Sequence, residues 1–243
     1  MASSFLWAVG GTQFIFWMTA LGASLVFFIP AGAPRMQDAL PGFAGGVMTA
    51  ASVWSLLLPA IEQTAGEGKL PAWLPAAAGL LAGAGFILAA DAIRKGASER
   101  DGMLFTAITL HNIPEGMAVG LAFALAADGE GLAAAAALAL GIGVQNFPEG
   151  AAVSLPLRQD GMSRGRAFLG GLASGAVEPV FGMLAVFAAS LARPLMPWLL
   201  SFSAGAMLYV TAHELCPEAK GRLGALGFMG GFILMMVLDV ALG

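Results

Sequence analysis

The sequence predicts an all-α integral membrane protein with eight transmembrane helices, arranged as a single transmembrane domain over residues 1–243. Of the 243 residues, 58% are hydrophobic and only 11% are charged, whereas soluble domains carry about 25% charged residues. The mean hydropathy is +0.83. The 34 glycines are scattered among Leu, Val and Phe rather than gathered in a linker, and small residues let helices approach closely in lipid.

Eight apolar stretches are long enough to cross a membrane, since a helical span needs about 20 apolar residues. Hydropathy places these spans, in order, at residues 12–31, 41–61, 72–91, 103–126, 131–155, 165–189, 195–214 and 222–241. The connections between them are short, so we expect one compact domain with no soluble appendage.

The basic residues predict the orientation of these spans. One set of connections carries nine of the 11 Lys and Arg residues, namely Arg35, Arg94, Lys95, Arg100, Arg158, Arg164, Arg166, Lys220 and Arg222. The other set carries only Lys69 and Arg193. The positive-inside rule therefore places the first set in the cytoplasm and both termini on the outer side. The net charge of -4 and the dispersal of the basic residues argue against a nucleic-acid partner.

Two similar heptapeptides lie in spans four and five, and they are the most informative motifs in the chain. Residues 111–117 read HNIPEGM, and residues 145–151 read QNFPEGA. A carboxylate at the centre of a span costs roughly 2.5–3.5 kcal/mol on insertion, so each glutamate needs an offsetting partner, most simply a cation. Consecutive spans are antiparallel, so the repeat predicts two inverted half-sites near the middle of the bilayer, as in many secondary transporters.

The polar residues of each heptapeptide share one face of a helix. Their i, i+1 and i+4 spacing lets all three point into one wedge of about 100°. A third deep carboxylate, Glu178, lies in the middle of span six, where the alternative is a protonated, hydrogen-bonded contact between helices. The candidate metal ligands are His111, Asn112, Glu115, Gln145, Asn146, Glu149 and Glu178.

This set of ligands suits zinc, Fe(II), manganese or cadmium better than Cu(I), for which thiolates would be expected. The chain has a single cysteine, Cys216, which excludes an intramolecular disulfide and a site built from several cysteines.

Further polar residues are candidates for the entrance or exit of an ion pathway. Met48 and Ser55 share a face of span two with Ala51, where packing is the alternative. Carboxylates at the ends of spans are often merely solvated. With that alternative open, Glu62 and Asp239 are entrance candidates on the outer side, and the exit candidates on the cytoplasmic side are Asp91, His213 and Glu214.

At these residues the chain resembles the ZIP family (Zrt- and Irt-like proteins) of divalent metal transporters, in particular its short bacterial members. The resemblance implies eight helices in a three-two-three inverted repeat, with both termini outside the cytoplasm. It further implies a bacterial inner-membrane location and net movement of metal into the cytoplasm. The motifs that carry it are His111-Asn112-x-Pro114-Glu115-Gly116, Gln145-Asn146-x-Pro148-Glu149-Gly150, Glu178-Pro179, residues 50–57 and His213-Glu214-x-x-Pro217-Glu218.

The resemblance also implies two adjacent metal sites that share two glutamates. The first would use His111, Glu115, Gln145 and Glu149, and the second would use Asn112, Glu115, Asn146, Glu149 and Glu178. The chain departs from the family at two positions. Many members have His at the position of Gln145, and some have Asp at that of Asn146, so the second site is expected to bind more weakly or one ion to dominate.

The leading hypothesis is a transporter that is not an enzyme, carries zinc or a related divalent cation, and needs no organic cofactor. The alternatives are an intramembrane metalloenzyme and a proton-coupled carrier of another substrate. No HExxH sequence is present for the former, and the spans offer no basic substrate-binding residue for the latter. The expected partners are divalent metal ions and membrane lipid; the oligomeric state stays open, with a homodimer as one alternative.

Overall fold

The structure is a computed structural model that describes residues 2–28, 34–67, 70–95, 100–126, 131–159, 161–191 and 193–242. The side chains of Asp91 and of residues 101–111 lie outside this description. Within the described ranges the chain is helical and contains no strand. The predicted all-α class is therefore confirmed.

The helices follow one another with short connections. The eleven α-helices of the described residues are α1 (Ala2–Ala23), α2 (Pro34–Ala51), α3 (Leu58–Glu67), α4 (Trp73–Lys95), α5 (Arg100–Leu125), α6 (Leu132–Gln159), α7 (Arg164–Gly175), α8 (Val177–Leu191), α9 (Met196–Val210), α10 (Cys216–Glu218) and α11 (Gly221–Leu242). A short 3₁₀ segment at Ser24–Phe27 extends α1, and another at Arg193–Leu195 precedes α9. A π-helical segment at Ser52–Leu57 joins α2 to α3, and another at Thr211–Leu215 joins α9 to α10.

The first helix begins at Ala2, and its stretch long enough to cross a membrane begins at Phe5, before residue 12, where hydropathy predicted the start of span one. The residues Gly10-Gly11-Thr12-Gln13, which include two glycines of low helix propensity, lie inside α1. The Phe123 ring occupies the space that a side chain at position 11 would need, and the Thr12 hydroxyl donates to the Ala8 carbonyl at 2.8 Å. Tertiary packing therefore stabilises a helix through residues that favour a break.

Four pairs of helices make the most extensive contacts: α2 with α11, α4 with α9, α1 with α6, and α5 with α8. These pairs follow a two-fold pattern, as a structural repeat would give. Exchanging α5 with α6, α1 with α8, α2 with α9 and α4 with α11 converts each pair into another of the four. The π-helical segments after α2 and after α9 are exchanged by the same operation.

Five helical stretches of the described residues are long and apolar enough to cross a membrane. They lie at Phe5–Phe27, Ala39–Gly66, Trp73–Ala90, Arg164–Ala189 and Gly221–Ala241. Large apolar side chains such as Leu81, Leu184 and Phe187 are more than half exposed, as lipid-facing residues are. The protein is therefore an integral membrane protein, and the count of eight spans stays a prediction.

Glycines bring α1, α5, α6 and α8 into close contact around one point. A Cβ atom at Gly116 of α5 would overlap the backbone of Glu178 in α8. One at Gly150 of α6 would overlap the carbonyl oxygen of Thr19 in α1. Each Pro-Glu-Gly motif thus places its glutamate one residue before a helix contact that only glycine allows.

Candidate metal centre

Helix α5 contributes Asn112 and Glu115, whose side chains are both fully buried. They are three residues apart, so they lie on the same face of the helix. His111 belongs to the same motif, but its side chain lies outside the described part of the structure.

Helix α6 contributes Gln145, Asn146 and Glu149. The Gln145 amide nitrogen donates to Glu115 Oε1 at 2.6 Å and to Glu149 Oε2 at 3.0 Å, and it lies 3.4 Å from Asn146 Oδ1. An amide NH₂ group has two hydrogens, so the two shorter contacts are the main ones. Gln145 therefore links the glutamates of the two motifs, which the sequence predicted to face each other.

Helix α8 contributes Glu178, which is fully buried. Its Oε1 accepts hydrogen bonds from the Thr19 hydroxyl at 2.9 Å and from Asn112 Nδ2 at 3.1 Å. The Asn146 amide lies close to the carboxylates of both Glu178 and Glu115. The structure therefore brings six of the seven predicted ligands into one buried cluster.

Four oxygen atoms of this cluster are buried and accept no hydrogen bond from the residues that the structure describes. They are Asn112 Oδ1, Glu115 Oε2, Gln145 Oε1 and Glu178 Oε2. Buried polar atoms in proteins nearly always have a partner, and an unpaired one costs about 1–3 kcal/mol, more if charged. Carboxylate and amide oxygens without donors are the atoms that a divalent cation binds.

The charge of the cluster leads to the same conclusion. No Lys or Arg occurs between Asp101 and Leu157 in the sequence, so neither motif helix carries a basic residue of its own in this stretch. Among the described side chains, no group of three His, Cys, Asp or Glu residues could hold a metal ion by itself. A cation in this cluster would therefore need the amide oxygens of Asn112 and Gln145 beside the carboxylates, as the motif spacing suggested.

Two of the candidate pathway residues contact each other. The Ser55 hydroxyl donates to Asp239 Oδ1 at 2.6 Å. Ser55 belongs to predicted span two and Asp239 to predicted span eight, so this hydrogen bond links the two spans. Met48 is buried in the apolar core, which favours its packing role. Glu62 is exposed.

At the other predicted end, two of the three exit candidates, His213 and Glu214, lie in the π-helical segment after α9. His213 is exposed and stacks on Tyr209, with ring centroids 5.4 Å apart. Glu214 is half-buried. The side chain of Asp91 lies outside the described residues, so its proximity to this pair stays a prediction.

The sequence missed Thr19 and Ser203. Thr19 is fully buried and reaches Glu178 from α1, whereas the Ser203 hydroxyl of α9 donates to the carbonyl of Pro114 at 2.8 Å. The local sequence does not distinguish these two hydroxyls from other buried ones. The hydroxyls of Thr12 and Ser201, for example, bond carbonyls of their own helix.

Fold and site together define a class: an integral membrane protein with a buried centre of carboxylate and amide oxygens suited to a cation. The family model described as ZIP Zinc transporter matches residues 94–239. Zinc transporter ZIP11 of Xenopus tropicalis is 38% identical, with 96% of each chain covered. Zinc transporter GufA of Myxococcus xanthus is 40% identical over 93% of this chain and 94% of that protein. Zinc transporter ZIPB of Bordetella bronchiseptica is 38% identical over 98% of this chain and 82% of that protein.

The chain therefore belongs to the ZIP family. It is a transporter of divalent metal ions and not an enzyme.

Proposed function

We propose that this protein carries zinc across a bacterial inner membrane into the cytoplasm, through the cluster of polar residues on α5, α6 and α8. The observation that carries the proposal is the set of four buried oxygens without hydrogen-bond donors. The names of its relatives, zinc transporters from animals and bacteria, support zinc as the ion. Fe(II), manganese and cadmium fit the same donor set and are proposed as secondary substrates.

The ligands divide between two adjacent positions that share Glu115 and Glu149. His111 and Gln145 complete the first, and the amides of Asn112 and Asn146 with Glu178 complete the second. Gln145 and Asn146 add oxygen without adding charge, so the centre holds fewer fixed negative charges than one with acidic residues there. Moderate charge favours passage, because an ion that is transported must also leave.

The outer carboxylate of Asp239, held by Ser55, supports an entrance on that side. Its second oxygen, Oδ2, is buried and has no donor among the described residues, so it is available to an arriving cation. We propose His213 and Glu214 as an exit on the cytoplasmic side, where the positive-inside rule places the end of span seven.

Uptake of zinc into liposomes tests this function directly. Purified protein in liposomes that contain a zinc-sensitive dye should give zinc-dependent fluorescence that saturates with outside zinc, because a finite number of centres carry the ion. Protein-free liposomes and liposomes with the Asn112→Ala, Glu115→Ala, Glu178→Ala triple variant are the controls. Uptake that matches these controls, with the parent protein folded, would contradict the proposal and leave a proton-coupled carrier of another substrate as the alternative.

Labelling of single cysteines in a Cys216→Ser background tests the orientation. Gly165, at the start of span six, and Leu70, between spans two and three, are both exposed, and we place them on opposite sides of the membrane. A membrane-impermeant maleimide added to intact cells should label Leu70→Cys and leave Gly165→Cys unlabelled until the cells are opened. The reverse labelling pattern would reverse the proposed orientation in the membrane and exchange the proposed entrance and exit.

A further inference from the structure

Helix α1 contains neither heptapeptide and no proposed metal ligand, yet it contacts α8 beside Glu178. Thr19 is fully buried on α1, and its hydroxyl donates to Glu178 Oε1 at 2.9 Å. The same hydroxyl lies 3.3 Å from the Ile15 carbonyl of its own helix. A hydroxyl has one hydrogen to donate, and a bond to a carboxylate is about twice as strong as one between neutral groups, so the shorter bond to Glu178 is the main one.

The two donors to Glu178 both bind the same oxygen. Thr19 and Asn112 each donate to Oε1, whereas Oε2 is buried without a donor. Two bonds from two different helices fix the rotation of the carboxylate, because any turn about its terminal bond would break both. Oε2 is thereby the oxygen that remains for an ion.

Packing holds Thr19 in the position that this bond needs. A Cβ atom at Gly175 would lie 3.0 Å from Thr19 Cβ and 3.2 Å from Glu178 Oε1. On the opposite side, the backbone of α1 at Thr19 packs against Gly150 of α6. Helix α1 therefore contacts both the motif of α6 and the helix that carries Glu178, and both contacts are made at Thr19.

We propose that Thr19 is a positioning residue for the second ion site: its hydroxyl orients Glu178 so that one oxygen, Oε2, binds the metal. This inference rests on the proposed function. Groups that orient metal ligands are worth about 10- to 100-fold in metal affinity. Thr19 acts through Glu178 alone and does not touch the ion.

Two substitutions separate the hydroxyl of Thr19 from its packing. Thr19→Val keeps the branched shape between Gly150 and Gly175 but removes the hydroxyl, and Thr19→Ser keeps the hydroxyl but removes the methyl group. A positioning role makes Val the worse variant, whereas a purely packing role makes Ser the worse one. Thr12→Val is the matched control, since Thr12 is also buried on α1 and its hydroxyl bonds carbonyls of its own helix, those of Ala8 at 2.8 Å and Val9 at 3.2 Å.

The experiment measures the zinc concentration for half-maximal uptake into liposomes, together with the melting temperature of each variant. We expect Thr19→Val to raise that concentration by about tenfold, Thr19→Ser to stay within about threefold of the parent, and Thr12→Val to match the parent. In a Glu178→Ala background, Thr19→Val should have no further effect, because the two residues act as one unit.

The outcomes separate this inference from the proposed function. A parent protein without zinc uptake overturns both. A parent with zinc uptake and a Thr19→Val variant that behaves like Thr12→Val overturns the positioning role alone. A Thr19→Val effect that persists at full size in the Glu178→Ala background, or a Ser variant weaker than Val, also overturns it, since either result assigns Thr19 to packing.

Discussion

Replacing Glu115 or Glu149 by alanine is expected to reduce zinc uptake by at least about tenfold, because even residues that only orient ligands are worth that much in metal affinity. Each glutamate is proposed to serve both ion positions. Glu115 is fully buried, and its Oε1 is bound by Gln145, so Oε2 is the oxygen left to bind zinc. The measurement is the initial rate of zinc uptake into liposomes at equal protein content.

The Glu115→Gln variant separates charge from shape, because it keeps the volume of the side chain and an oxygen that can accept from Gln145. We expect it to be folded and nearly inactive. Ser201→Ala is the matched control: Ser201 is also buried, but its hydroxyl bonds only the Pro197 carbonyl of its own helix. Uptake by Glu115→Gln above about half of the parent rate, with Ser201→Ala unchanged, would mean that this carboxylate does not hold the ion.

Replacing Gly116 or Gly150 by alanine is expected to lower the melting temperature and the yield of folded protein. A Cβ at either position would overlap backbone atoms of a neighbouring helix, and a backbone cannot rotate away as a flexible side chain can. Overpacking costs about 1–3 kcal/mol and occasionally more, which is a large share of a typical stability of about 5–15 kcal/mol. The yield of monodisperse protein and the melting temperature measure the effect.

Gly85→Ala is the matched control for these two variants. Gly85 is exposed in α4, and nothing lies within 4 Å of the position of its Cβ. Alanine has a higher helix propensity than glycine by about 1 kcal/mol, so this variant should fold at least as well as the parent. If the Gly116→Ala and Gly150→Ala variants were as stable as Gly85→Ala, the close helix packing at these two glycines would be contradicted.

The ligand types could be predicted from the sequence because the repeat itself contains them. Glu115 and Glu149 occur in similar heptapeptides, and a carboxylate in an apolar span requires compensation wherever that span lies. Helical spacing alone then places Asn112 beside Glu115 and Asn146 beside Glu149. The structure gathers these residues with Glu178, and the family relationship confirms the class of transporter to which such ligands belong.

The start of α1, the pairing of Ser55 with Asp239 and the role of Thr19 could not be predicted from the sequence. Each depends on residues that are far apart in the chain, and hydropathy reports only how apolar a stretch is. Thr12 and Thr19 are equivalent by sequence, yet only Thr19 faces a carboxylate.

The sequence by itself determined the membrane class of this protein and predicted most of the residues of its proposed ion centre, because the energetic penalty for a carboxylate in lipid is local to its own span. The tertiary structure alone decided which oxygen of Glu115 and of Glu178 accepts hydrogen bonds and which has no donor among the described residues. That choice depends on donors from other helices, Gln145 for Glu115 and Thr19 with Asn112 for Glu178, and glycine contacts at Gly116 and Gly150 set the approach of those helices.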